Sequence, residues 1–165
     1  MNQGRGLTLT TPTEREIAMT RVFDAPRRLV FDAMTRPELV KRWLLGPPGW
    51  SMPVCEIDLR VGGTYRYVWR GADGTEMGMR GVYREIAPPE RLVATESFDE
   101  SWYPGEAQVT TALVERDGRT TVTITVLYES RAARDTALAS NMEKGVAASY
   151  DRLEELLAAP VPRNP

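Results

Sequence analysis

The chain has 165 residues, enough for one domain with its own apolar core and no need of disulfides or metal. Hydrophobic residues make up 42% and charged residues 27%, which excludes the low-hydrophobicity regime of disorder. The formal charge of -2, with Lys and Arg scattered, excludes a basic nucleic-acid footprint, and the absence of histidine removes the commonest general base and metal ligand.

Residues 1–13 are Gly- and Thr-rich, lack the basic-then-apolar order of a secretory signal, and are expected to form a flexible segment. A single domain is expected over 14–158. Its first strand, Glu14 to Asp24, alternates imperfectly through Ile17, Met19 or Val22, and Phe23. Asp24-Ala25-Pro26 combines a capping-type residue with a proline just inside a helix, and Leu29, Val30, Phe31, Ala33 and Met34 follow at helical spacing. Pro37 restarts a second short helix through Leu39, Val40 and Trp43, which Gly46-Pro47-Pro48-Gly49 ends.

Six runs then follow: Met52 to Arg60, Thr64 to Arg70, Glu76 to Ile86, Arg91 to Phe98, Glu106 to Glu115, and Thr120 to Tyr128. Each break between them has turn chemistry, as at Ala72-Asp73-Gly74 and Asp117-Gly118, so the runs predict an antiparallel meander. Val122, Ile124, Val126 and Tyr128 point to one face, and Thr121, Thr123 and Thr125 to the other. The last element is expected as one helix capped by Ser130 and running to about Ala158, its stripe including Leu138, Met142, Gly145, Val146, Ser149 and Leu153. Such a helix would span roughly 40 Å and cross the whole sheet. Residues 159–165 read as a flexible Pro-rich tail.

The order of strand, two short helices, meander and long helix resembles the START-like, birch-allergen-like helix-grip fold. That implies an α+β architecture in which a curved antiparallel sheet of about seven strands wraps a C-terminal helix. The residues Asp24-Ala25-Pro26, Arg42-Trp43, Gly46-Pro47-Pro48-Gly49-Trp50, Asp58-Leu59-Arg60-Val61-Gly62-Gly63, Gly81-Val82-Tyr83-Arg84-Glu85-Ile86 and Pro89-Glu90-Arg91-Leu92 carry a closer likeness. They resemble the bacterial SRPBCC group related to the C-terminal domain of the activator of heat-shock-protein-90 ATPase, over about Arg15 to Leu157. Trp43-Leu44-Leu45-Gly46 departs from the Trp-Trp-Gly of many relatives, at the expected mouth of the pocket.

The expected ligand-binding residues lie around the space between sheet and helix. Tyr65, Tyr67 and Trp69 share one strand face, open to both core packing and cavity lining. Met79 and Phe98 come from neighbouring strands, and Trp43, Trp50 and Trp102 from loops or loop edges, where an indole either plugs a cavity or touches a ligand. Met142, Gly145, Val146 and Ser149 belong to the helix stripe, with Gly145 and Ser149 small enough to leave space or to allow close approach. Alternation from Leu92 to Phe98 turns Glu96 toward the covered face, where it meets a polar ligand group, pairs with an arginine such as Arg80, or escapes by a register shift.

Three functions are compatible with these residues. The first is binding of a small hydrophobic or aromatic molecule, without cofactor, metal or catalytic residue. The second, implied by the resemblance, is a cyclase- or hydrolase-type enzyme using a cavity carboxylate or tyrosine. The third is co-chaperone-like protein binding, suggested by the activator relative. Cys55 is the only cysteine, so no intrachain disulfide forms, and with no apolar run of membrane-spanning length a cytoplasmic monomer or homodimer is expected.

Overall fold

Period-two alternation and tight turns build one antiparallel sheet, seen in a computed structural model that describes residues 6–159. In chain order the elements are β1 (Thr8–Thr10), β2 (Glu16–Phe23), α1 (Arg27–Thr35), α2 (Pro37–Trp43), β3 (Ser51–Ile57), β4 (Thr64–Arg70), β5 (Glu76–Ala87), β6 (Arg91–Phe98), β7 (Ala107–Arg116), β8 (Arg119–Leu127), α3 (Arg131–Ala139) and α4 (Met142–Ala158). The sheet runs β1-β2-β8-β7-β6-β5-β4-β3, an α+β helix-grip arrangement with β1 and β3 at its edges. Asp117 and Gly118 both take positive φ, 55° and 76°, the tight two-residue turn that joins β7 to β8.

The sheet has eight strands, not about seven, because part of the segment expected to be flexible pairs with it. Thr8, Leu9 and Thr10 align with Thr20, Met19 and Ala18 of β2, and Leu7 and Leu9 pack against the Ile17–Tyr128 core. Two β-branched threonines flanking a leucine supply the strand pattern that the surrounding Gly and Pro obscure. The expectations for residues 1–5 and 160–165 lie outside the described residues.

The expected single C-terminal helix is two helices. Asn141 adopts the left-handed φ of 61°, while the Ser140 hydroxyl donates to the Ala137 carbonyl at 2.6 Å and closes the end of α3. Short polar side chains that bond locally to backbone compete with helix continuation, and asparagine tolerates the left-handed region. Ser130 caps α3 as expected, its hydroxyl accepting from Ala133 N at 3.0 Å. The remaining helix, α4, is about 26 Å long at ~1.5 Å per residue.

Asp24 does not cap α1. The cap position is Pro26, and the first free amide, Arg27 N, donates instead to Glu115 Oε1 of β7 at 2.7 Å. Pro37 stands at the start of α2, where its missing N–H costs no hydrogen bond. Phe23, Val122, Tyr150 and Leu153 fill the core beneath α4. Arg21 of β2 is buried beside them, pairing with Asp151 at 2.7 Å and Glu154 at 3.5 Å on α4.

Candidate functional site

Between the sheet and the helices lies a cavity of about 1060 Å³. Alternation places Tyr65, Tyr67 and Trp69 of β4, Met79 of β5, and Glu96 and Phe98 of β6 on its floor. Helical spacing places Met142, Gly145, Val146 and Ser149 of α4 on the opposite wall. Trp43 at the end of α2, Trp50 before β3 and Trp102 in the β6–β7 connection complete the set. The structure therefore brings all of the sequence-predicted site residues to one cavity.

The aromatic floor is both core and lining. Tyr65, Tyr67 and Trp69 are buried, and Tyr65 stands 5.1 Å from Tyr67 and 5.5 Å from Tyr83 between ring centroids. Two indoles are tied by their N–H groups: Trp43 Nε1 donates to the Ala33 carbonyl at 2.8 Å, and Trp69 Nε1 to the Leu44 carbonyl at 2.7 Å. These bonds satisfy the only polar atom of each indole, leaving its carbon faces for the apolar space.

The small residues of α4 act differently from one another. Ser149 Oγ accepts from Gly46 N at 2.8 Å, and Arg152 donates to the Gly46 carbonyl at 2.6 Å, so α4 holds both polar groups of one mouth-loop residue. A β-carbon on Gly145 would meet only Pro47 Cδ, at 3.9 Å, so this position leaves space.

Glu96 faces the covered side, as alternation predicts, but it does not pair with Arg80. Arg80 aligns with Ser97, on the other side of the pleat, and bonds to Asp99 at 2.9 Å beside the Arg66 guanidinium. Glu96 Oε2 instead accepts from the Tyr103 hydroxyl at 3.0 Å. The residue is half-buried against the cavity, and this burial pushes the carboxyl pKa up, with the Tyr103 bond acting in the other direction. Burial first, and then the nearby Glu96 charge, likewise push the hydroxyls of Tyr103 and Tyr128 up. A carboxyl ringed by tyrosines can accept or donate a hydrogen bond to whatever enters.

Sequence reasoning missed Tyr83, Tyr128, Met19 and Tyr150 as lining residues. Tyr128 had a usable signal, since it continues the covered face of Val122, Ile124 and Val126. Tyr83 lies four residues beyond Met79 on the same strand face, but a register irregularity between Tyr83 and Glu85 breaks the alternation just after it. Tyr150 lies one turn beyond Val146 at the edge of the stripe read on α4, and reaches Phe23 with ring centroids 5.3 Å apart. Among the described residues, no group of three or more Cys, Asp or Glu side chains could hold a metal ion, and no helix is long and apolar enough to cross a membrane.

Solved structures share this architecture. A Rhodobacter sphaeroides protein is 32% identical with a TM-score of 0.89, covering 94% of this chain and 99% of its own. Proteins of Nitrosomonas europaea and Chromobacterium violaceum are 26% and 27% identical, both with TM-scores of 0.78, covering 88% and 90% of this chain and 95% and 100% of theirs. No curated protein matches the chain. The pattern of the family described as Activator of Hsp90 ATPase homolog 1-like protein matches residues 24–158, from the turn before α1 to the end of α4, and the chain belongs to that family.

Proposed function

We propose that the chain binds a small hydrophobic or aromatic molecule between the sheet and α4. The observation that carries this reading is the cavity of about 1060 Å³ walled mainly by apolar side chains, aromatic, methionine and aliphatic. A concave apolar space of these dimensions stands at the upper end of the range of small-molecule sites. At about 25 cal/mol per Å² of apolar area, a ligand burying roughly 300 Å² gains several kcal/mol before association costs, which corresponds to micromolar-class binding. In this reading the protein acts in the cytoplasm as a monomer or homodimer and needs no cofactor.

Titration with the neutral fluorophore N-phenyl-1-naphthylamine tests this reading. Stoichiometric binding that falls at least ten-fold in Gly145→Leu, whose side chain would enter the open space beside Pro47, supports it. Absence of binding, or binding indifferent to that change, overturns it. Native mass spectrometry of freshly purified protein supplies an independent check through any co-purified small molecule.

A second reading rests on Glu96. A cavity carboxyl whose proton is held tightly, with a tyrosine on one oxygen, is the group a cyclase- or hydrolase-type acid–base reaction requires. A substrate turned over by the native protein but not by Glu96→Gln supports this reading; a bound ligand recovered chemically unchanged speaks for binding alone.

A further inference from the structure

Resting on the cavity-binding reading, we propose that the ligand is an apolar or aromatic molecule carrying a protonated amine, received by Glu96. Among the described residues, no Lys or Arg forms an ion pair with this carboxyl, and only Oε2 is hydrogen-bonded, by Tyr103. A half-buried carboxyl on an apolar cavity wall without a countercharge is costly to ionise, and a ligand cation provides what the protein withholds.

The rest of the cavity border points the same way. Among the described residues Arg66 is its one cationic residue, and both guanidinium ends are taken by Asp99, at 2.7 and 2.6 Å. Glu100 adds a further carboxylate there, while Glu76, also on the border, is paired with Arg70 at 2.6 Å. Among the described residues an anionic ligand therefore meets no free cation, while an ammonium meets carboxylate from Glu96 and the electron-rich faces of the surrounding tyrosine and tryptophan rings. A neutral ligand would fill the same volume and leave Glu96 unanswered.

Displacement of N-phenyl-1-naphthylamine by four naphthalenes of similar size tests the charge preference: 1-naphthylmethylamine, 1-methylnaphthalene, 1-acetonaphthone and 1-naphthoate. The amine is expected to bind about ten-fold more tightly than either neutral compound, the naphthoate more weakly than all, and the amine's advantage to shrink to within about two-fold in Glu96→Gln. Equal binding of amine and neutral compounds, tighter binding of the ketone or the acid, or an amine advantage that persists in Glu96→Gln overturns the amine assignment while leaving the cavity reading standing. Failure of the fluorophore itself to bind removes both. The ranking in the unaltered protein decides the matter even where the variant does not fold.

Discussion

The Thr95 carbonyl and the ring of Tyr65 together occupy the space that a β-carbon on Gly81 would need, and the Tyr65 hydroxyl reaches past that glycine to donate to the same carbonyl at 2.6 Å. A glycine on β5 thus lets an aromatic residue of β4 lie over it and close one end of the cavity floor. Gly81→Ala is expected to destabilise the fold by about 1–3 kcal/mol through overpacking, and to weaken fluorophore binding by moving Tyr65. Urea denaturation measures the first effect, and an unchanged midpoint would show that neither the Thr95 carbonyl nor the Tyr65 ring is lodged there.

Glu96 predicts a pH dependence of stability. Its folded pKa lies above the ordinary 4.5, chiefly through burial, so the folded state holds the proton more tightly than the unfolded chain does. That contribution is complete below the unfolded value and is lost as pH rises through the folded one. Glu96→Gln removes it, so the stability of the native protein relative to this variant should decline from about pH 4 upward. Parallel thermal melts across that range check this, and a flat difference contradicts the half-buried placement.

Gly145 sits in the interior of α4 with no contact that forbids a methyl group. Gly145→Ala is expected to stabilise the protein by about 0.5–1 kcal/mol, since alanine has less backbone freedom to lose in a helix. A melting temperature that fails to rise would mean that the methyl meets something the present packing leaves room for.

The guanidinium of Arg21 is buried, whereas of its partners on α4 Asp151 is largely exposed and Glu154 half-buried. Removing both carboxylates, in Asp151→Asn with Glu154→Gln, is expected to cost about 2 kcal/mol by leaving a buried charge unanswered. Chemical denaturation of the double variant against each single change tests whether the two carboxylates share the charge.

Burial pushes the Cys55 thiol up to about 11. Its reaction with Ellman's reagent at about pH 8 should therefore be slow in the native protein and fast after denaturation, because the thiolate is the reactive form. Equal rates would place the thiol in water.

The meander and the facing of Glu96 were legible because both follow from alternation and turn residues, which are local properties. Three features were not. The pairing of Thr8–Thr10 depends on a partner strand about ten residues away, with Gly and Pro nearby masking its pattern. The break at Ser140 and Asn141 depends on one residue taking the left-handed region, a choice that an apolar stripe running through both helices conceals. The partner of Glu96 could not be found by strand register, since Tyr103 lies in the connection beyond β6 and arrives through the path of the chain. Cavity residues were similarly visible where they followed a strand face or helix stripe, and hidden where, as with Tyr150, they came from its edge.

The edge strand β3 carries one further consequence. Pro53 has no N–H to offer, and the pairing of β3 with β4 is irregular between Ser51 and Val54. A foreign strand approaching that border meets a missing donor and a distorted backbone, both of which frustrate continuation of the hydrogen-bond ladder. The border nearest the aromatic wall is thereby blunted against strand addition, which leaves the apolar hollow behind an edge that extends the sheet poorly.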